Sequence, residues 1–176
     1  RLLQGFAKEI KYGMRTHNAR SETADTPASF KHAWAKARHC IVPCQAIYEP
    51  DWRTGKHVPT KFTAADEGML GVAGLWQPWR APTGEWVNTF AMLTLNADEH
   101  DLMKHMHRPD PARPVEKQDK RMVVILPSAQ YVEWLDAPAD RSREFMQQYP
   151  ADRLLATPEP VQKKAQVSQD NGGLPF

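Results

Sequence analysis

The sequence predicts a single α+β domain, with an antiparallel sheet curled around one core and helices at its periphery. Two apolar runs, 69–77 and 86–95, flank turn residues at 82–84, which is the pattern of two buried antiparallel strands joined by a loop. Helical spacing of apolar residues is confined to a few short segments. The 176 residues contain no internal repeat and no clear linker, so we expect one domain.

Before the long strand pair, the pattern predicts one helix and three short strands. Thr26 precedes a proline, Pro27, at the first helical position, and apolar residues at helical spacing follow. Turn residues separate the strands, with a bend at Pro43 and a hairpin turn at 53–56. The predicted segments are a helix over 27–38 and strands over 40–42, 46–48 and 58–64.

After the strand pair, the pattern changes to short helices around a long polar segment. Asn96 is expected to cap a helix that runs to about Met106. Residues 108–120 are rich in proline and charge and too polar to pack, so they are predicted to form an exposed loop. Long loops in compact domains are often functional. The other predicted segments are a strand over 122–126 and helices over 128–135 and 139–148.

Composition excludes several classes of protein. No apolar run reaches the roughly 18 residues of a membrane span, and the first 30 residues do not have the pattern of a signal peptide. Two cysteines are too few for a disulfide-rich secreted scaffold. Glycine-rich phosphate loops, Gly-x-Ser-x-Gly and His-Glu-x-x-His are also absent from the sequence. We therefore expect a cytoplasmic protein that has no membrane partner.

The charge is unevenly distributed along the chain. The net charge is +2, but residues 1–60 contain ten Lys and Arg and only five Asp and Glu. This basic segment suggests a local surface for anions, not a fully basic nucleic-acid binder. A solvated charged face explains the charge equally well.

Two cysteines and several histidines raise the alternatives of a zinc site and a thiol–imidazole pair. Cys40 and Cys44 have a spacing that zinc sites allow, although it is a weak signal. Cys40 lies in an apolar strand pattern, where a free cysteine usually acts as a small hydrophobic residue. The core interpretation is therefore favoured over both. The histidines considered as partners are His39, His100, His105 and His107.

Three polar residues stand beside apolar segments, and each has an ordinary explanation. Asn18 fits a turn, Glu49 fits the end of a strand, and His107 fits a cation at a helix C-terminus. Taken singly, none of them predicts a site.

Four motifs in fixed order give these residues a different meaning. They are Asn-Ala-Arg-Ser-Glu-Thr at 18–23, Arg-His-Cys-Ile-Val-Pro at 38–43 leading to Tyr-Glu at 48–49, Met-His at 106–107, and Lys-Arg-Met-Val-Val-Ile-Leu at 120–126. Together they resemble the SRAP family, the SOS response-associated peptidases or abasic-site processing proteins of DNA repair. The resemblance covers almost the whole chain, and the Asn-Ala-Arg-x-Glu-Thr string is its most specific part.

The resemblance implies a fold, an activity and a partner. The family has one α+β domain with a curled, barrel-like β core, here assigned to residues 1–176. Its reactive group is an N-terminal cysteine exposed by removal of the initiator Met, an autopeptidase step. The α-amine and thiol of that cysteine close a thiazolidine on the aldehyde of an abasic site in single-stranded DNA, which gives a covalent protein–DNA link. No cofactor and no metal are implied, and the oligomeric state is left open.

Three positions match the catalytic residues of the family. Asn18 would orient the N-terminal residue, and Glu49 would hold or deprotonate its amine. His107 would act as general acid–base at the sugar. His105 is a competing candidate, and His107 is favoured because its Met-His-Arg context matches better.

Three further positions are predicted to contact DNA. Arg20 matches a phosphate-contacting arginine of the family, and Arg121 matches a second basic residue near the site. A guanidinium suits phosphate because it donates two parallel hydrogen bonds. Phe6 is the candidate for stacking on a base, and its alternative role is a core residue.

The chain also departs from the family pattern. Neither Cys40 nor Cys44 can replace the N-terminal cysteine, because an internal cysteine has no free α-amine. We therefore expect an N-terminal stretch, roughly a third of a domain, to be missing from this sequence. The loop 108–120 separates His107 from Arg121, where family members often have one or two residues. The alternatives are a thiol peptidase acting on other proteins and a non-catalytic, phage-related DNA-binding domain of the same fold.

Overall fold

The computed structural model describes residues 2–3, 7, 11, 13 and 16–159. Within these residues the chain forms nine strands and two short α-helices, joined by loops and 3₁₀ turns. The elements are β1 (Asn18–Arg20), α1 (Lys31–Ala35), β2 (His39–Cys44), β3 (Ile47–Asp51), β4 (Val58–Ala64), β5 (Leu70–Arg80), β6 (Trp86–Asn96), β7 (Arg121–Val123), β8 (Ile125–Leu126), α2 (Tyr131–Asp136) and β9 (Leu154–Pro158).

The larger sheet is built on the hairpin of β5 and β6. Its strand order is β1-β6-β5-β2, and β7 and β8 pair with β6 and β5 where those two strands diverge. The predicted strand 122–126 is divided at Val124. The Val124 N–H donates to Leu93 O, and its carbonyl accepts from the Ala73 N–H, so the chain passes between the two long strands at this point.

The smaller sheet has the order β3-β4-β9 and is antiparallel throughout. Alternate residues of β4 face the core, and Phe62 at its centre is fully buried. The sequence predicted no strand at β9. Its pattern is weak because only Leu154 is buried, so the strand depends on pairing with β4.

The main core is one cluster that takes residues from both sheets and from the helical segments, including Phe62 of β4, Trp34 of α1 and Trp134 of α2. Trp134 of α2 is fully buried, its ring stacks on His39 at 3.8 Å, and its indole N–H donates to Cys40 O at 3.0 Å. Phe145 packs against the edge of the same indole. These contacts fix the start of β2 and so position the strand that leads to β3.

The predicted α+β class is confirmed, with two differences from the predicted core. The sheets of the described residues do not close into a barrel. In addition, β1 pairs with β6 in parallel, from Asn18 opposite Met92 to Arg20 opposite Thr94. A parallel pair requires a long crossover connection, and the residues between β1 and β6 provide it.

The predicted helices are shorter than expected or replaced by turns. Only residues 31–35 of the predicted helix 27–38 are α-helical. The helix predicted from Asn96 to Met106 is wrong: Asn96 ends β6, its side-chain oxygen accepts from the Asp98 N–H, and the Ala97 N–H donates to Lys120 O. These bonds leave only a 3₁₀ turn, Met103–His105. The segment 139–148 holds a 3₁₀ helix, Ala139–Phe145. No helix among the described residues is long and apolar enough to cross a membrane.

Candidate active site

A cleft of about 420 Å³ lies where the two sheets meet, and three predicted catalytic residues line it. Asn18 comes from the larger sheet, Glu49 from the smaller one, and His107 from the start of the long loop. The rest of the wall comes from Thr94 of β6, from Arg108 of the loop, and from residues 118–123 of the loop and β7.

Asn18 and Arg20 point to the same side of β1. Successive side chains of a strand alternate, so residues two apart share a face. Both are exposed, whereas Ala19 between them is fully buried against the core. The Asn-Ala-Arg spacing therefore places an amide and a guanidinium side by side.

Glu49 and His107 form the central contact of the cleft. The imidazole Nε2 lies 2.9 Å from Glu49 Oε2, and the two side chains are 46% and 17% exposed. When a neutral imidazole faces an ionised carboxylate, Nε2–H is the donor and Nδ1 is an acceptor. A carboxylate holding an imidazole in this way orients the ring for proton transfer.

The backbone of His107 explains how the ring reaches Glu49. An isolated antiparallel bridge joins Met106 to Asp51, at the end of β3. The His107 N–H then donates to Pro50 O at 2.7 Å. His107 itself has φ of +60°, a left-handed conformation that histidine adopts more readily than most residues.

The predicted phosphate contacts are paired with carboxylates. Arg121 binds Glu22 through both terminal nitrogens, at 2.8 and 2.7 Å. Partial burial opposes ionisation of Glu22, but hydrogen bonds led by the one from Arg121 outweigh it and lower the pKa of the carboxyl below 4.5. Arg20, which is 55% exposed, contacts Asp119 at 2.8 Å.

Asp119 is the common partner of three guanidinium groups. Besides Arg20, its carboxylate lies 3.4 Å from Arg113 and 3.6 Å from Arg121. Its backbone is fixed by the Asp98 carboxylate, which accepts the N–H groups of Asp119 and Lys120. The long loop thus delivers a negative charge into the most basic part of the cleft.

Comparison with known proteins identifies the family of the chain. The family model described as SOS response associated peptidase (SRAP) matches residues 1–166. The chain belongs to the SRAP family. This SRAP chain is 29% identical over 161 residues to the abasic site processing protein YoqW of Bacillus subtilis, covering 88% of this chain and 64% of that protein. It is 27% identical over 169 residues to the abasic site processing protein HMCES of Gallus gallus, covering 84% and 46%.

Solved structures give the same result for the fold. A crystal structure of a protein from Bordetella bronchiseptica is 52% identical, with a TM-score of 0.75, covering 82% of this chain and 65% of that protein. A Bacteroides thetaiotaomicron structure is 21% identical with a TM-score of 0.72, covering 89% and 66%. The SRAP chain thus spans 64% of the length of the first curated relative.

One competing candidate of the SRAP chain lies outside the cleft. His105 is exposed outside the cleft lining, and its carbonyl accepts from the Trp52 N–H. Phe6 lies outside the described residues. Sequence reasoning assigned no role to Asp119 or Lys120, which also line the cleft. The available signal was position: Lys120 is the first residue of the Lys-Arg-Met motif, and Asp119 directly precedes it.

The cysteines and the remaining histidines have surroundings typical of structural residues. Burial raises the pKa of the Cys40 thiol to about 11 and also raises the pKa of Cys44. His39 lies 2.9 Å from Ser142 Oγ, and burial lowers the pKa of its ring. His100 accepts two backbone N–H groups and reaches Tyr149 O. Among the described residues, no three potential ligands of these types are grouped as a metal site.

Proposed function

We propose that the whole protein processes abasic sites by crosslinking to single-stranded DNA through an N-terminal cysteine. The observation that carries the proposal is the 2.9 Å contact of Glu49 and His107 in a cleft that Asn18 also lines. The names of the relatives, abasic site processing proteins, support the same chemistry. The proposal extends to removal of the initiator Met, which frees the amine.

The chemistry proceeds in two bond-forming steps. The neutral α-amine attacks the ring-opened aldehyde of the abasic sugar, and loss of one water gives an imine. The thiol then adds to the imine carbon, and its proton moves to the nitrogen, which closes the five-membered thiazolidine. An α-amine has an ordinary pKa of about 8, so a usable fraction is neutral at pH 7.

The cleft residues have distinct roles in this scheme. Glu49 takes a proton from the α-ammonium group, and its lower exposure favours contact with a buried amine over water. His107 moves protons at the sugar oxygens and at the departing water. Asn18 donates and accepts hydrogen bonds that orient the N-terminal residue.

DNA binding before the reaction is electrostatic. Arg20 lies on the open face of β1 beside Asn18, where a backbone phosphate next to the abasic sugar would lie. Arg121 is 18% exposed and bound to Glu22, so its main contribution is to hold the wall of the cleft. We therefore expect binding that depends on salt and is largely independent of base sequence.

The test uses the complete protein with a free N-terminal cysteine and a single-stranded oligonucleotide containing an abasic site. A denaturing gel is expected to show a heat-stable shifted band. The band is expected to be absent with a tetrahydrofuran analogue, which has no aldehyde, and with an N-terminal Cys→Ala variant. No band with the true abasic site would contradict the proposal. Binding without a crosslink would favour a non-catalytic DNA-binding domain, and digestion of added peptides would favour a thiol peptidase.

Variants then test the assigned roles. Glu49→Gln is expected to impair both crosslinking and Met removal, because both steps use the same amine. Asn18→Ala is expected to slow crosslinking alone. Glu67→Gln, a change of the same type at an exposed position outside the cleft, is the control. Since Glu49 lies in a strand, its variant must first melt close to the parent temperature.

A further inference from the structure

A buried lysine lies directly behind the candidate catalytic histidine. Lys120 is 7% exposed, and its ammonium group donates to Met106 O at 2.8 Å and to His107 O at 2.7 Å. Nothing in the SRAP motifs matched above assigns it a role. A buried ammonium group is costly unless it is paired, so its position requires an explanation.

The two carbonyls that Lys120 binds belong to the strained part of the chain. His107 has φ of +60°, and its N–H is already held by Pro50 O at 2.7 Å. Lys120 binds the Met106 carbonyl, which precedes the His107 nitrogen, and the carbonyl of His107 itself. The left-handed conformation is therefore fixed at its amide and at both flanking carbonyls.

Lys120 is itself firmly anchored. The backbone N–H of Lys120 donates to the Asp98 carboxylate at 2.8 Å, and its backbone carbonyl accepts from the Ala97 N–H at 2.7 Å. Burial lowers the pKa of the ammonium group, and the negative charge of Asp98 opposes that effect. With two of its three donors used by backbone carbonyls, the lysine is poorly placed to bind a phosphate.

We propose that Lys120 is the positioning residue that holds His107 in its left-handed conformation and so keeps its imidazole against Glu49. Small displacements of a reacting group reduce rates strongly, about 10²-fold for 1 Å. The effect on crosslinking rests on the proposed function, whereas the effect on the His107 backbone does not.

The first test is structural and uses the 176-residue chain. A residue with φ near +60° has its amide hydrogen and Hα close together, so its intraresidue NOE is strong. We expect a strong NOE at His107 in the parent and a weak one in Lys120→Met. Lys120→Arg, which keeps a charged donor, is expected to restore part of it. Lys117→Met, at an exposed position of the same loop, is the control and is expected to leave the NOE unchanged.

The second test is kinetic and uses the complete protein. Lys120→Met is expected to slow crosslinking at saturating DNA by about 10- to 100-fold. The affinity for single-stranded DNA and its salt dependence are expected to stay within about twofold of the parent, since no phosphate contact is lost. If the parent itself forms no crosslink, the proposed function fails, but the NOE still decides the role of Lys120.

Two results would overturn the inference. One is a folded Lys120→Met with an unchanged His107 NOE and a parental rate. The other is weaker DNA binding with a flatter salt dependence and no change in rate, which would make Lys120 a phosphate contact. If Lys120→Met does not fold, Lys120→Gln is used, which keeps one donor group. It is expected to weaken the NOE, and an NOE of parental strength would count against the proposal.

Discussion

Asp119→Asn is expected to strengthen binding of single-stranded DNA, because the Asp119 carboxylate pairs with the Arg20 guanidinium group and competes with a DNA phosphate for it. The substitution keeps the shape of the side chain. Asparagine also tolerates the left-handed φ of +56° at this position, and the N–H bond to Asp98 is unaffected. The variant should therefore fold like the parent, and only the charge in the cleft changes.

The size of the effect follows from the contact being broken. Arg20 Nη1 lies 2.8 Å from Asp119 Oδ2, but the Arg20 side chain is 55% exposed. The interaction free energy of such an exposed ion pair is about 0.2–1 kcal/mol. Removing that competition should tighten binding by about 1.4- to 5-fold. If Arg20 gains one phosphate contact, the slope of log affinity against log salt should steepen by about 0.7, which is roughly 2.6-fold between 50 and 200 mM salt.

The assay is fluorescence anisotropy of a labelled single strand, titrated with the 176-residue chain at several salt concentrations. Asp101→Asn is the matched control, since Asp101 is a paired, exposed acid outside the cleft and its loss changes the net charge equally. Equal gains in both variants would mean that net charge alone is responsible. A second check is Arg20→Ala, which should remove the gain. If Asp119→Asn still tightens binding in the Arg20→Ala background, the reasoning is refuted.

Three further predictions concern catalysis and stability. His107→Ala should bind DNA but crosslink about 10²- to 10⁴-fold more slowly in a single-turnover gel assay, with His105→Ala near the parental rate; the reverse result would exchange their roles. Glu22→Gln should lower the melting temperature by at most about 2–4 °C at neutral pH. The pKa of Glu22 in the folded state lies below its ordinary value of 4.5. The ionised carboxylate therefore stabilises the fold above pH 4.5, and this contribution is lost as the pH falls through the folded-state pKa. The melting temperatures of parent and variant should accordingly converge in acid. Trp134→Ala should lower the free energy of unfolding, measured by denaturant titration, by about 3–5 kcal/mol. Trp86→Ala, at a 66% exposed position, should cost under about 0.5 kcal/mol, and similar losses would contradict the assigned core.

The parts of the fold that could be predicted are those specified by local patterns. β5 and β6 are long apolar runs on either side of a turn, so their pairing follows from the sequence. The helix after Asn96 could not be excluded in this way. The Ala97 N–H, which would lie in the first turn of that helix, donates to the carbonyl of Lys120, and no local pattern encodes this tertiary contact.

The candidate site shows the same division. Motif order was enough to nominate Asn18, Glu49 and His107. The contact between the last two, however, depends on the isolated bridge between Met106 and Asp51 of β3. Arg121 and Glu22 are 99 positions apart, so their pairing was also out of reach of sequence reasoning. Motifs nominate residues by their type and their order in the chain, whereas the partner of each residue depends on the folded path of the chain.

The division of the cleft between two sheets has a consequence for how activity is lost. Asn18 belongs to the larger sheet and Glu49 to the smaller one. If both residues act in the proposed reaction, a slight separation of the sheets would abolish activity while leaving each sheet intact. Heat inactivation should then begin below the temperature at which circular dichroism detects melting. A ligand that touches both residues would oppose that separation, and bound DNA should narrow the gap between the two temperatures.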